Sequence, residues 1–279
     1  MTKAHRRDWA PILREAERIV HGYPYRITLR QLHYRLLSVP TLGYGSAAKD
    51  IDYLSQRTAD LRRRGSFPDL ADETRSIEVT PSWASPAEAL AAIAQQYRRD
   101  RTEGQSNFIV LGGEKRAMLV QFRQWYPDLG VPFIALSGNA SQTYVDEVAD
   151  FVDDDGRKSV LLYVGDLDAS GEDIERDFVK RCPVWDHVER IAVKESQITE
   201  LGLPKNPGNP NDPKRKPFID THGSLFQVEV EAIAPNELHR LYDEALAQWW
   251  DRSTWNRVVE AEAAERRQLE ALARKTRTP

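Results

Sequence analysis

The stretch Ser159–Ile174, SVLLYVGDLDASGEDI, constrains the chain more than any other. Val160, Leu161, Leu162, Tyr163 and Val164 run without alternation, the pattern of a strand buried on both faces. The run stops at Gly165 and delivers Asp166 and Asp168, after which Gly171 opens a helical pattern. Ligands in an open α/β sheet bind just outside the carboxyl ends of the strands, where this pair falls. Two carboxylates one residue apart can converge on a hard cation such as Mg²⁺. They can equally be a turn residue and a helix N-cap, both places that favour Asp.

A third acid lies upstream. Asn107–Met118, NFIVLGGEKRAM, is another short apolar strand that ends in two glycines and Glu114. Two strand ends, one bearing Glu and the other Asp-x-Asp, in a chain that alternates strand and helix, resemble the Toprim domain of topoisomerases, primases and related nucleases. The resemblance runs over roughly Asn107–Leu246. It implies that Glu114, Asp166 and Asp168 hold Mg²⁺ (or Mn²⁺) beside a DNA phosphate.

Strand-helix alternation is predicted on both sides of that motif: strands at Phe108–Leu111, Pro132–Leu136 and Val188–Val193, with helices to Tyr126, over Gln142–Val152 and to Arg181. Such alternation implies a mainly parallel sheet covered by helices. The Pro-, Asn- and Lys-rich segment from Gly202 to Pro217 reads as a surface loop of a length that is often functional. Phe226–Ile233 alternates as a strand does, which puts Glu229 and Glu231 on one face. Two helices, Asn236–Trp250 and Ser253–Ala273, close the pattern.

The chain has 279 residues, room for two ordinary domains. Its single cysteine, Cys182, excludes an internal disulfide and a cysteine-based zinc site. No apolar run approaches the roughly 18–20 residues of a membrane span, and MTKAHRRDWAP lacks the apolar core of a signal peptide. A cytoplasmic location is therefore expected, associated with the nucleoid if the source is prokaryotic. The net charge of −4 hides an asymmetry. Met1–Ser66 carries thirteen Lys and Arg against six acids, a net of +7, and the rest of the chain carries −11. A basic head on an acidic body points to a nucleic-acid partner.

Within the head, helical spacing predicts one helix over Arg6–His21 and a second, TLRQLHYRLLSV, capped by Thr28. A third covers KDIDYLSQRTADLRRRG, and a short extended segment follows over Ser76–Thr80. Three helices and an extended segment fit a winged-helix module or a solvated basic bundle. In the first case Arg57, Arg62, Arg63 and Arg64 on the third helix face DNA. Lys115, Lys214 and Arg215 are further expected nucleic-acid contacts. The expected boundaries are a winged-helix-like domain over 1–81, a linking helix over 82–104, a Toprim-like domain over 105–250 and a charged helix over 251–279.

A winged helix ahead of a Toprim domain is similar to the A subunit of type IIB topoisomerases (topoisomerase VI) and the related meiotic double-strand-break transesterase. The match is carried by LRQLHY, with Arg30 four residues before Tyr34, and by the ITELGLPKNP and VEVEAIAPNEL segments. It implies that Tyr34 attacks DNA with Arg30 beside it, next to the Toprim site of a second subunit, and hence a homodimer. On a wheel of about 100° per residue, Tyr34 lies roughly 140° from the stripe of Leu29, Leu32, Leu36 and Leu37. Arg30 is one turn away on the same outward face. His33 projects elsewhere and is not expected to be the base.

No P-loop motif occurs, so a topoisomerase built on this chain needs a separate ATPase subunit. The leading expectation is a Mg²⁺-dependent DNA-cleaving enzyme that works by tyrosine transesterification. Two alternatives stand beside it: a hydrolytic nuclease of a defence or mobile-element system with water as nucleophile, and a non-catalytic DNA-binding protein.

Overall fold

Three amphipathic segments become the helices Ala10–His21 (α1), Leu29–Leu37 (α2) and Ala48–Arg63 (α3). The computed structural model describes residues 8–23, 26–45, 47–72 and 79–276. Thr28 caps α2 as its position suggests: its hydroxyl accepts from Gln31 N at 3.1 Å while Gln31 Oε1 accepts from Thr28 N at 2.8 Å. This reciprocal pair satisfies two of the amides that a helix start leaves open. Ile12, Ala16, Leu32, Leu36 and Leu54 meet in a small separate core. The expected extended segment Ser76–Thr80 lies mostly outside the described residues, and no strand pair of a wing is found among those described; Thr28 and Ala71 form an isolated parallel bridge.

Pro86–Gln96 (α4) then leads into the sheet. Its strands are Asn107–Gly113 (β1), Phe133–Ala135 (β2), Lys158–Val164 (β3) and His187–Ala192 (β4). All neighbours are parallel, in the order β2-β1-β3-β4. Parallel strands need long crossovers, which Ala117–Trp125 (α5), Gln142–Asp153 (α6) and Ala169–Arg181 (α7) supply. One apolar layer contains Ile109, Leu111, Phe122 and Leu162, and the other Val110, Leu161, Tyr163 and Phe178. Burial on both faces is why β1 and β3 read as unbroken apolar runs. The fold is thus α/β, a helical N-terminal region followed by a mixed region with a four-stranded parallel sheet.

Two expectations fail past β4. After Glu195–Glu200 (α8), the segment read as loop holds a two-residue strand, Asn206–Pro207 (β5), and the start of a helix, Arg215–His222 (α9). The segment Phe226–Ile233 is not a strand. Only Phe226–Gln227 (β6) pairs, with β5, and Val230–Ala232 is a 3-10 turn. The alternation there reflects a chain lying against the body with Val228 and Val230 buried inward. Pro235–Trp249 (α10) and Arg252–Lys275 (α11) complete the chain, and α4 packs along α11. No helix among the described residues is long and apolar enough to cross a membrane.

Candidate functional site

The site forms where β1 and β3 end. The backbone N–H of Glu114 donates to Val164 O at 2.9 Å, so the residue after β1 stays in register beside the end of β3. Gly113 makes the turn possible: a Cβ there would stand 2.6 Å from Met118 Cβ, on the helix that follows. Glu114 Oε2 then accepts the N–H of Asp166 at 2.8 Å. Gly171 has the same role on the other side, since a Cβ there would lie 2.5 Å from Asp166 O. Glu114 and Asp166 are therefore brought together through the turn.

Asp168 caps α7. Its Oδ1 accepts from Gly171 N at 2.7 Å, so one of its oxygens serves the helix start. Its charge still reaches Glu114. Burial pushes the Glu114 carboxyl above its ordinary value, opposed by the Asp166 N–H.

The structure adds two carboxylates that composition and motif spacing did not assign. Leu167 and Val228 exchange backbone hydrogen bonds of 2.9 and 3.1 Å, and Val230 N donates to Asp166 Oδ1 at 2.8 Å. These bonds lay the chain from Glu229 to Glu231 across the end of β3. One oxygen from each of Asp166, Glu229 and Glu231 lies within 4.8 Å of the others. Such a group of hard oxygens can coordinate a divalent ion. The signal available in the sequence was Glu229 and Glu231 on one face. What it lacked was any mark that this face meets Asp166, more than sixty residues away.

Lys115 does not project into solvent. Its ammonium sits among the three carboxylates, 2.8 Å from Asp166 Oδ2 and in close ion pairs with Glu229 and Glu231. Burial alone would lower this ammonium, but the carboxylates outweigh it and raise it above its ordinary value.

The N-terminal helices reach the same place. The turn Val230–Ala232 packs against α2. Arg30 lies 3.2 Å from Glu231 and 3.6 Å from Glu229, and donates to the Tyr34 hydroxyl at 3.5 Å. Lys115 Nζ stands 6.0 Å from the centre of the Tyr34 ring. Tyr34 is thus half-buried beside Arg30, Lys115 and Glu229. Burial and Glu229 raise its phenol above the ordinary value, against the pull of Arg30 and Lys115. His33 is buried and engaged elsewhere, its Nδ1 2.7 Å from the Tyr44 hydroxyl.

The remaining basic residues lie on or at the end of α3 and beside α7. Arg57 stacks over Trp9 at 5.0 Å, Arg62 donates to Thr58 O, Arg63 pairs with Asp60, and Arg64 is exposed at the end of α3. Lys214 pairs with Asp173 at 2.6 Å and Arg215 donates to Asp212 O at 3.0 Å. Both sit beside α7 rather than with the acid cluster. Comparison of the chain with known protein families matches no family, and comparison with curated proteins finds no match.

Proposed function

We propose that the chain is a metal-dependent DNA strand-cleaving enzyme in which Tyr34 attacks a backbone phosphate, of the type its Toprim-like and winged-helix-like features imply. The observation that carries this reading is the meeting of Tyr34 and Arg30 with Asp166, Glu229 and Glu231 in one chain. A tyrosine that only packs a core has no need of two cations and the Glu229 carboxylate beside it.

The donor set favours a hard ion. Every candidate ligand is a carboxylate oxygen, and the Lys115 ammonium already stands among them as a cation. In addition, the fully buried Tyr163 carries its hydroxyl without a hydrogen-bond partner, and the charge of Glu114 acts on it. Mg²⁺ or Mn²⁺ fits such donors. Asp166 would hold it together with Glu229 and Glu231, with Glu114 and Asp168 adjoining. A bound divalent ion supplies positive charge to a phosphoryl oxygen.

The chain's own residues do the rest. Arg30 orients the Tyr34 oxygen and offsets charge on the pentavalent phosphorus. The phenol oxygen forms a bond to phosphorus, the bond from phosphorus to a sugar oxygen breaks, and that oxygen takes up a proton while the phenol gives one to solvent. One chain brings nucleophile and acids together, so a double-strand break requires two copies.

A hydrolytic nuclease is the second reading, favoured by the raised phenol of Tyr34, which makes it a poor nucleophile as it stands. A denaturing gel of end-labelled duplex incubated with protein and Mg²⁺, run with and without protease, separates the two. Label retained by protein until digestion, and lost in Tyr34→Phe, supports transesterification. Free ends that persist in Tyr34→Phe and vanish in Asp166→Ala establish hydrolysis, and intact DNA under both conditions contradicts cleavage by this chain alone.

A further inference from the structure

An ammonium group has three protons to donate. Lys115 faces three carboxylates, Asp166, Glu229 and Glu231, and its side chain is only 16% exposed. All its donors are thereby directed to the protein, leaving none for a phosphate. Arg30, the other cation beside Tyr34, is held by Glu231 and Glu229. These carboxylates, with Glu114 and Asp168 adjoining, outnumber the two cations, and their charge disfavours a phosphate diester. By its charge and by the engaged donors of Lys115, the site disfavours the substrate proposed for it.

The Lys115 backbone is fixed, because its carbonyl accepts Met118 N at 3.0 Å at the start of α5. Its side chain is a flexible four-carbon stem. The ammonium can therefore leave the acids while the residue stays in place.

We infer that Lys115 is an internal counter-cation that occupies the acid cluster and must be exchanged for a divalent ion before the site accepts a phosphate. This rests on the metal-dependent reading above. A divalent ion brings two positive charges to the acid cluster in place of one, while Lys115 remains nearby, and so favours a phosphate. It also releases three donors toward Tyr34 and the phosphate. Lys115 thus makes substrate binding conditional on the metal.

Titration of the metal-free full-length protein with Mn²⁺, read by calorimetry, tests this. Lys115→Met removes the competitor and is expected to bind Mn²⁺ roughly tenfold tighter or more. Because that variant leaves three carboxylates poorly balanced and can fail to fold, the wild-type protein gives a second readout. Brief acetylation of its lysines, mapped by mass spectrometry, is expected to leave Lys115 protected without Mn²⁺ and to modify it severalfold more with Mn²⁺. Equal Mn²⁺ affinity in the two proteins, or binding that leaves Lys115 protected, overturns the exchange and leaves the metal reading standing. Absence of Mn²⁺ binding at millimolar concentration in both proteins overturns the metal reading as well.

Discussion

Arg30 Nε lies 3.2 Å from Glu231 Oε1, joining the N-terminal helices to the end of the sheet through a carboxylate whose side chain is 6% exposed. Arg30 itself is 54% exposed, so its pair is screened by solvent. Arg30→Ala is expected to cost less than about 1 kcal/mol in urea denaturation. Lys115→Met in metal-free buffer is expected to cost about 3–5 kcal/mol, because it strands buried carboxylates. Equal losses in the two variants would contradict this ranking.

A buried pair fastens the segment between α4 and β1 to α11. Arg101 donates to both oxygens of Glu262 at 2.9 and 2.7 Å and to Asp128. Glu262 also accepts Arg99 N at 3.1 Å. Arg101→Met leaves the Glu262 carboxylate, 2% exposed, without its main partner. A loss of about 3–5 kcal/mol is expected, measured as a lower urea midpoint. An unchanged midpoint would contradict a structural role for the pair.

How far the sequence displayed this molecule depended on range. β1 and β3 were legible because each is buried on both faces, and Thr28 was legible because a capping box is local. The course of Phe226–Ile233 was not: its alternation is that of an inward-outward chain, and only the Leu167–Val228 bridge shows that it crosses the end of β3. Glu229 and Glu231 were seen as a pair but not as partners of Asp166. Helix α9 was obscured by Pro and Asn in the segment before it. Asp168 carried two compatible readings, and its cap on α7 is the one visible in the structure.

His222 joins three elements. Its Nε2 lies 2.9 Å from Glu172 at the start of α7 and its Nδ1 2.9 Å from Glu195 at the start of α8. Burial lowers the imidazolium, but the two carboxylates outweigh it and raise its pKa. A raised folded value means that this contribution is fully present below about pH 6.5 and falls away as pH climbs through the folded value. Thermal melts across pH 6 to 9 are expected to show stability declining in the wild type and a shallower decline in His222→Gln. Identical slopes would exclude the bridge as the source.

Arg57 within α3 and Arg64 at its C-cap are expected to behave differently. Arg57 stacks on Trp9, so Arg57→Ala should cost about 0.5–1 kcal/mol of stability. Arg64 is exposed, and Arg64→Ala should leave stability alone while lowering the salt dependence of DNA binding by about one ion. Binding isotherms at several salt concentrations check this. A salt slope unchanged in Arg64→Ala would remove that residue from the interface.

The identity of the nucleophile is best tested on the residue itself. Trypsin cuts after Arg30 and Arg35 and releases the peptide Gln31–Arg35, which contains Tyr34. After reaction with duplex DNA and Mg²⁺ and digestion with nuclease and trypsin, mass spectrometry is expected to find this peptide carrying a nucleotide on Tyr34. Cleaved DNA accompanied by the unmodified peptide, or by a nucleotide on another residue, would contradict Tyr34 as the attacking group.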